Sequence, residues 1–368
     1  MTKNYQTCTK CIMDTTDPGI TFDEKGICNY CKMYEERAKN ELKGPEELKK
    51  LIGEIKKSNG RCLIGVSGGT DSTMTVYLAK KYGLNPVAVS FDNGWDTEIA
   101  KRNVNNLIAK LDLEIIKYKV DPEEFKDLQI AFLKASIPNA EIPTDHGIVS
   151  FLYRLADKWN IKYIIHGGNI VTEAIMPESW GYDSKDLKYL RAIHKKFGRV
   201  ELKTFPQVGL LHWIYYAFFK KIRFVPILNY IPYNKQEAKK ILKGELGWQD
   251  YNIKHGESIY TRFFQCYILP TKFGIDKRRA HFSTLINSGQ MSREEALEEM
   301  KKEPYPNKEL LEQDRKYVLQ KLGLSEKEFE EIMQAPVKNY KNYPNNSFFF
   351  KRDNFLVKLA KRKITHNY

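Results

Sequence analysis

Residues 61–72, Arg-Cys-Leu-Ile-Gly-Val-Ser-Gly-Gly-Thr-Asp-Ser, constrain the fold more than any other part of the chain. The apolar run 62–66 reads as a buried strand, and Met74, Val76, Tyr77 and Leu78 as one face of the helix that follows. The turn between them is built of small residues. Gly68 and Gly69 let backbone amides approach a ligand, Ser67 and Ser72 add hydroxyls, and the helix directs its positive end at the same point. That arrangement suits a polyphosphate. The Gly-Lys-Ser/Thr ending of the commonest phosphate loop is missing, and Asp71 places a negative charge where phosphate would repel it. A magnesium ion bridging Asp71 to the phosphates removes the conflict. Val66, Ser67, Gly68, Gly69, Thr70, Asp71 and Ser72 are therefore the candidate nucleotide loop, with Asp71 as magnesium ligand and catalytic residue.

Beyond this unit the apolar pattern alternates. Further strands are predicted over 86–91, 113–118, the apolar run before His166, and 222–228, with helices around Leu48–Ile55, over 97–111, from Thr144-Asp145 as cap, and from Asn234 with Glu237 three residues on. This is an α/β chain with a doubly wound, five-stranded parallel sheet, whose ligands bind beyond the carboxyl ends of the strands. Ser90 and Asp92 fall at one such end and are candidates for contact with the nucleoside. His166, Gly167, Gly168 and Asn169 fall at another, with His166 a candidate catalytic group and the glycines again permitting close backbone approach. Glu173 reads as a solvated carboxylate. Residues 176–221, aromatic and basic, break the alternation and read as an insertion that forms a substrate wall or a partner surface.

Four of the six cysteines lie within the first 31 residues as Cys8-x2-Cys11 and Cys28-x2-Cys31, the spacing of a four-thiolate zinc site. Such a site has no open position and is structural; an iron–sulfur cluster is the alternative occupant. Near the other end, Lys272, Lys277, Arg278, Arg279 and His281 make a dense run of cations, read as anion clamps, with Arg278 and Arg279 assigned to catalysis and the other three to substrate. Ser292 and Glu295 form a capping box. Residues 341–368 form a basic aromatic tail in which Phe355, Leu356 and Leu359 share a helical side, suited to weak contact with a membrane surface. The chain thus divides into a cysteine module (1–45), a nucleotide-binding α/β domain (46–245), a helical substrate region (246–340) and the tail.

A formal net charge of +14 over 368 residues favours acidic partners. The longest apolar run, 208–219, contains His212 and stops at Lys220-Lys221, too short to span a bilayer, and residues 1–5 lack the apolar core of a secretion signal, so the cytoplasm is expected.

Ser67-Gly68-Gly69-Thr70-Asp71-Ser72 resembles the Ser-Gly-Gly-x-Asp-Ser signature of the PP-loop ATP pyrophosphatases, which adenylate a substrate oxygen and release pyrophosphate. Together with the cysteine pairs, His166-Gly167-Gly168-Asn169, and the Gly274-Ile275-Asp276-Lys277-Arg278-Arg279-Ala280-His281 segment followed by Ser288-Gly289-Gln290-Met291-Ser292-Arg293-Glu294-Glu295-Ala296, the chain resembles the N-acetyl sugar amidotransferase family of bacterial surface-polysaccharide and flagellin-glycan loci. The resemblance implies ATP-dependent conversion of the acetamido group of a nucleotide-linked sugar into an acetamidino group, with ammonia from a separate glutaminase and no nucleic acid. Cys62 and Cys266 read as buried apolar residues and neither stands in a glutaminase nucleophile motif, which agrees with an external ammonia source. A tRNA-thiolating enzyme of the same superfamily, and a zinc- and nucleotide-binding scaffold, are the competing expectations.

Overall fold

The computed structural model describes residues 4–251, 253 and 255–350; the stretch 351–368, which holds most of the basic tail, lies outside the described residues. Five strands, β1 (Arg61–Gly65), β2 (Asn85–Asp92), β3 (Glu114–Lys119), β4 (Tyr163–His166) and β5 (Arg223–Pro226), form one parallel sheet in the order β3-β2-β1-β4-β5. The chain adds β2 and β3 on one side of β1 and then crosses to add β4 on the other. The crevice that opens at such a reversal, at the carboxyl ends of β1 and β4, is where an open α/β sheet binds ligands.

Side chains alternate across the sheet and build two cores. Cys62 and Ile64 of β1 pack with Ile55, Val76, Leu107 and Leu242, from the helices Pro45–Lys57, Thr70–Lys81, Glu98–Leu111 and Lys235–Leu246. Leu63 points the other way, onto Leu152, Leu155 and Ala156 of the helix Ile142–Lys158. Each such residue, fully buried, contributes about 1.5–3 kcal/mol of transfer free energy. A third core joins the four-cysteine segment to the carboxyl-terminal helices, with Phe132, Tyr189, Phe263, Val318 and Phe329 at its centre, so the cysteines share packing with the helical region.

Two local expectations change. The fifth strand ends at Pro226 and turns into a 3-10 segment over Ile227–Tyr230, because a proline has no N–H to carry a ladder onward. The helix expected to be capped at Thr144-Asp145 begins at Ile142 after Glu141, with Pro143 in its first turn. Asp145 is therefore inside the helix, and its carboxylate is not spent on a cap. Residues 176–183, the start of the expected insertion, line the cleft described below. No helix among the described residues is long and apolar enough to cross a membrane.

Candidate active site

The 65–72 turn is held from both sides. Gly68 adopts φ +79°, and a Cβ there would stand 2.6 Å from the Ala100 carbonyl oxygen, so only glycine fits. Its carbonyl accepts from Trp248 Nε1 at 2.8 Å, the Tyr251 hydroxyl at 2.9 Å and Asn103 Nδ2 at 3.3 Å. Three donors on one oxygen fix the peptide plane. On the opposite side Gly167 presses on the first turn of the helix Thr70–Lys81. Ser67 Oγ and Ser72 Oγ lie 3.2 Å apart, and Ser67 Oγ accepts from Gly69 N at 3.3 Å.

Asp71 stands on the first turn of that helix. One of its oxygens accepts from the Tyr233 hydroxyl and the other lies 2.9 Å from Lys235 Nζ. Burial works against the Lys235 charge, but Asp71 and Glu173 outweigh it and hold its pKa above the ordinary lysine range. Sequence reasoning missed Lys235 and Tyr233. Asn234 and Glu237 read as a helix start, and that is correct, since Asn234 Oδ1 accepts from the amides of Gln236 and Glu237. That the same helix start delivers a lysine to the turn 164 residues earlier is a tertiary fact.

A cleft of about 1390 Å³ opens from the turn. Val66, Ser67 and His166 line one part of it, with Asp96, His255 and Glu257; Glu141, Asp145, Glu173, Lys277 and His281 line another; Trp180, Tyr182 and Tyr340 form an aromatic wall. His166 stacks on Phe224 with centroids 4.1 Å apart, and its Nδ1 accepts from Gly168 N at 3.1 Å, which leaves the proton on Nε2. Burial pushes its pKa down to about 4, so at neutral pH it is an uncharged donor. Asp96 is pushed up to about 6 by burial and then by Asp92.

The other candidates have structural partners. Asn169 caps the short helix Ile170–Glu173, its Oδ1 accepting from Thr172 N at 2.9 Å. Asp92 closes the Asn93-Gly94 turn through Gly94 N at 2.9 Å, and Ser90 lies within β2. The three cations Lys272, Arg278 and Arg279, read as anion clamps, are engaged elsewhere and are absent from the cleft lining. Lys272 Nζ donates to the carbonyls of Ile332, Met333 and Ala335 at the end of the helix Glu326–Gln334. Arg278 pairs with Asp276 at 2.7 Å and donates to the Lys302 carbonyl at 2.9 Å. Arg279 reaches the Ile12 carbonyl at 2.8 Å and Asp14 at 2.9 Å. In each case a carbonyl or carboxylate outside the cleft engages the long side chain. Lys277 and His281, from the same run, do line the cleft; Lys277 Nζ is 3.6 Å from Glu141, and His281 Nδ1 is 3.0 Å from the Thr172 carbonyl.

The four cysteines converge as the spacing implies. Their sulfurs are separated by 3.9 Å (Cys8–Cys31), 3.6 Å (Cys11–Cys28) and 3.7 Å (Cys28–Cys31), and all four residues are fully buried. A single ion with metal–sulfur bonds of about 2.3 Å gives tetrahedral edges of about 3.8 Å. Arg293 donates to the Cys8 and Cys11 carbonyls, and Asn287 Nδ2 lies 3.4 Å from Cys31 Sγ, so the helical region braces the cluster.

Residues 257–357 match the family model of the LPS biosynthesis protein WbpG-like C-terminal domain. No curated protein matches the chain. Among solved structures the chain is similar to NMN synthetase from Francisella tularensis, at 16% identity over 61% of this chain and 89% of that one with a TM-score of 0.28. It is also similar to the U34-tRNA thiolase NcsA from Methanococcus maripaludis, which carries a 4Fe-4S cluster, at 17% identity over 66% and 83% with a TM-score of 0.26.

Proposed function

We propose, for a chain whose residues 257–357 match the WbpG-like LPS biosynthesis C-terminal domain, an ATP-dependent amidotransferase that converts the acetamido group of a nucleotide-linked sugar into an acetamidino group. The observation that carries this reading is the meeting of two segments in one cleft. The Ser67 turn lies at the switch point of the sheet, and the family domain contributes Glu257, Gln265, Lys277 and His281 to the same cleft.

An amide carbon is a poor electrophile because its oxygen leaves badly. Attack of that oxygen on the α-phosphate of ATP forms an O–P bond and expels pyrophosphate; ammonia then adds to the imidate carbon and AMP departs. The chemistry calls for phosphate binding and positioning more than for a side-chain nucleophile. The turn amides and serine hydroxyls bind phosphate, Lys235 offers a cation beside it, and His166 Nε2 offers a neutral donor. Magnesium, when bound, would neutralise phosphate charge, and Asp71 would hold it. Burial pushes the Cys62 thiol up to about 12 and the Cys266 thiol up to about 11, so neither supplies a thiolate for glutamine hydrolysis or sulfur transfer. Ammonia from a separate glutaminase and a cytoplasmic setting belong to this proposal. So does structural zinc at the four cysteines, since a multi-iron cluster would spread their sulfurs farther apart.

The test is to incubate the protein with ATP, magnesium, ammonium and a panel of UDP-linked N-acetyl sugars. One sugar is expected to shift by the mass of replacing oxygen with NH while AMP is released, and unmodified tRNA to elicit neither. AMP release that depends on tRNA and a sulfur donor, and ignores every sugar, would replace this reading with the thiolation one.

A further inference from the structure

Residues 210–219 turn an apolar face to solvent. The helix Leu210–Ile214 continues without a break into a π-helical turn, Tyr215–Phe219, closed by Lys220 N donating to the Tyr215 carbonyl at 3.0 Å. One side packs inward. Tyr216 is buried with Leu152 and Ile222, and Trp213 and Tyr216 both lie against Tyr153 of the helix Ile142–Lys158, with ring centroids 5.0 and 5.5 Å away. The other side carries Leu211, Ile214, Tyr215 and Phe219, at the three- and four-residue spacing of a single helical face. All four are exposed, Leu211 and Phe219 to 79% and 76%, and Tyr215 stacks on Phe219 at 6.1 Å, so the apolar surface is continuous at that end. Exposed apolar residues gathered on one face mark an interaction surface, where scattered ones would not.

The surroundings are cationic. Residues 184–223 hold ten lysines and arginines against two acids, and one of the two, Asp186, is buried as a helix cap. Trp213 Nε1 donates to the Lys185 carbonyl at 3.1 Å, and Arg191 Nε donates to Gln207 at 2.9 Å, which sets these exposed cations beside the start of the ridge. Exposed Lys221 stands at its other end, next to Lys220, which pairs with Asp157 at 2.7 Å. Charge complementarity therefore calls for an anionic partner. A second copy of the chain does not fit, since a symmetric contact would set this basic rim against itself. Shape separates the remaining anionic surfaces. Side chains as exposed as Leu211 and Phe219 stand proud of their neighbours and form a ridge, which a fluid bilayer closes around without needing a matching groove.

We propose that residues 210–219 bind the surface of an anionic lipid membrane. Leu211, Ile214, Tyr215 and Phe219 enter the boundary between headgroups and acyl chains, and Lys185, Arg191 and Lys221 meet the headgroup phosphates. Tyr153, beneath the ridge, also stacks on Phe224 of the cleft wall, so the attached face holds the cleft beside the membrane. The proposal goes beyond the reaction above and does not depend on it.

The test is sedimentation of the full chain with vesicles of phosphatidylcholine alone and of phosphatidylcholine mixed with phosphatidylglycerol. Binding is expected at least about tenfold tighter to the anionic vesicles, and weaker as salt is raised. Leu211→Gln combined with Phe219→Gln is expected to weaken that binding by about tenfold or more at an unchanged melting temperature, since both side chains are exposed. The double change leaves every charge of the chain in place, those of residues 351–368 included. Equal binding by this variant and wild type would therefore assign the contact to charge alone and overturn the proposal. Should the double variant not fold, Phe219→Trp serves: the fluorescence gained at that position should be quenched by brominated acyl chains, and quenching no greater than in wild type would overturn the proposal as well. Wild-type protein left in the supernatant with anionic vesicles would reject the membrane and leave the ridge to an acidic protein partner.

Discussion

Lys235 Nζ lies 2.9 Å from the Asp71 carboxylate, and the Tyr233 hydroxyl donates to the other oxygen of the same group. The aspartate that would hold magnesium is thus neutralised by a lysine from the helix Lys235–Leu246, which packs on the same face of the sheet as the helix that carries Asp71. Both side chains retain only about a fifth of their surface, 23% for Lys235 and 19% for Asp71. An ion pair this enclosed costs more to break than to omit, because the surviving partner stays desolvated.

Asp71→Asn is expected to abolish AMP formation and to lower stability by about 2 kcal/mol or more, through the stranded Lys235 charge. Adding Lys235→Met to that variant should recover part of the stability and none of the activity. Urea unfolding of the two single variants and the double variant measures the coupling. A double variant no more stable than Asp71→Asn would show that the pair contributes nothing.

How far the sequence could be read depends on the range of each interaction. The turn at Gly68 and the five strands follow from local pattern and glycine chemistry, and the structure reproduces them with small shifts at β3 and β5. The cation run 272–281 shows what local pattern lacks. Lys277 and His281 reach the cleft while Arg278 and Arg279, one turn of the same helix, face carbonyls and carboxylates elsewhere. Lys235 and Asp145 lay under capping motifs that explained the backbone and were silent on the side chain.

Arg279→Ala separates the two readings of that cation run. Asp14 is fully buried and keeps hydrogen bonds from Tyr5 and Thr16, yet it would lose its guanidinium partner. Stability is expected to fall by about 2–3 kcal/mol, with the KM for ATP and for the sugar within about threefold of wild type. Unchanged melting with a tenfold rise in either KM would restore the arginine to the role of anion clamp.

Acid sensitivity has an identifiable source in His146. Its Nδ1–H donates to the Ser184 carbonyl at 2.7 Å, its Nε2 accepts from Val208 N, and burial pushes its pKa down to about 4 from 6.5. The folded value lies below the unfolded one, so the unfolded chain takes up the extra proton first. The stability this neutral ring contributes above pH 6.5 is lost as pH falls toward 4, by up to about 3 kcal/mol. Asp96 and Asp145, whose pKa values are raised, act in the opposite sense, so the measurement is a difference. Urea unfolding of His146→Gln against wild type should show a stability gap that narrows as pH falls from 6.5 to 4. A gap independent of pH would acquit the histidine.

Cys8→Ser should lower metal content and melting temperature together, since the closed cluster packs into the same core as Phe263 and Phe329. Metal analysis by mass spectrometry alongside calorimetry is sufficient. One zinc per chain with unchanged melting in the variant would reject a structural ion at this place.

Gly167 makes the strongest demand on the backbone around the nucleotide turn. A Cβ there would stand 2.6 Å from the Asp71 carbonyl carbon, 2.8 Å from its oxygen and 2.9 Å from Ser72 N. All three atoms are backbone, so no side chain can swing aside, and the end of β4 must separate from the turn. Gly167→Ala is therefore expected to raise the KM for ATP by about tenfold or more and to cost about 1–3 kcal/mol of stability. Gly244→Ala is the control, because nothing lies within 4 Å of its added methyl and it sits inside the helix Lys235–Leu246. That change should stabilise by up to about 1 kcal/mol and leave ATP use unaltered. Equal kinetics for the two variants would mean that the turn tolerates displacement by β4 and that its geometry is set by the Gly68 carbonyl alone.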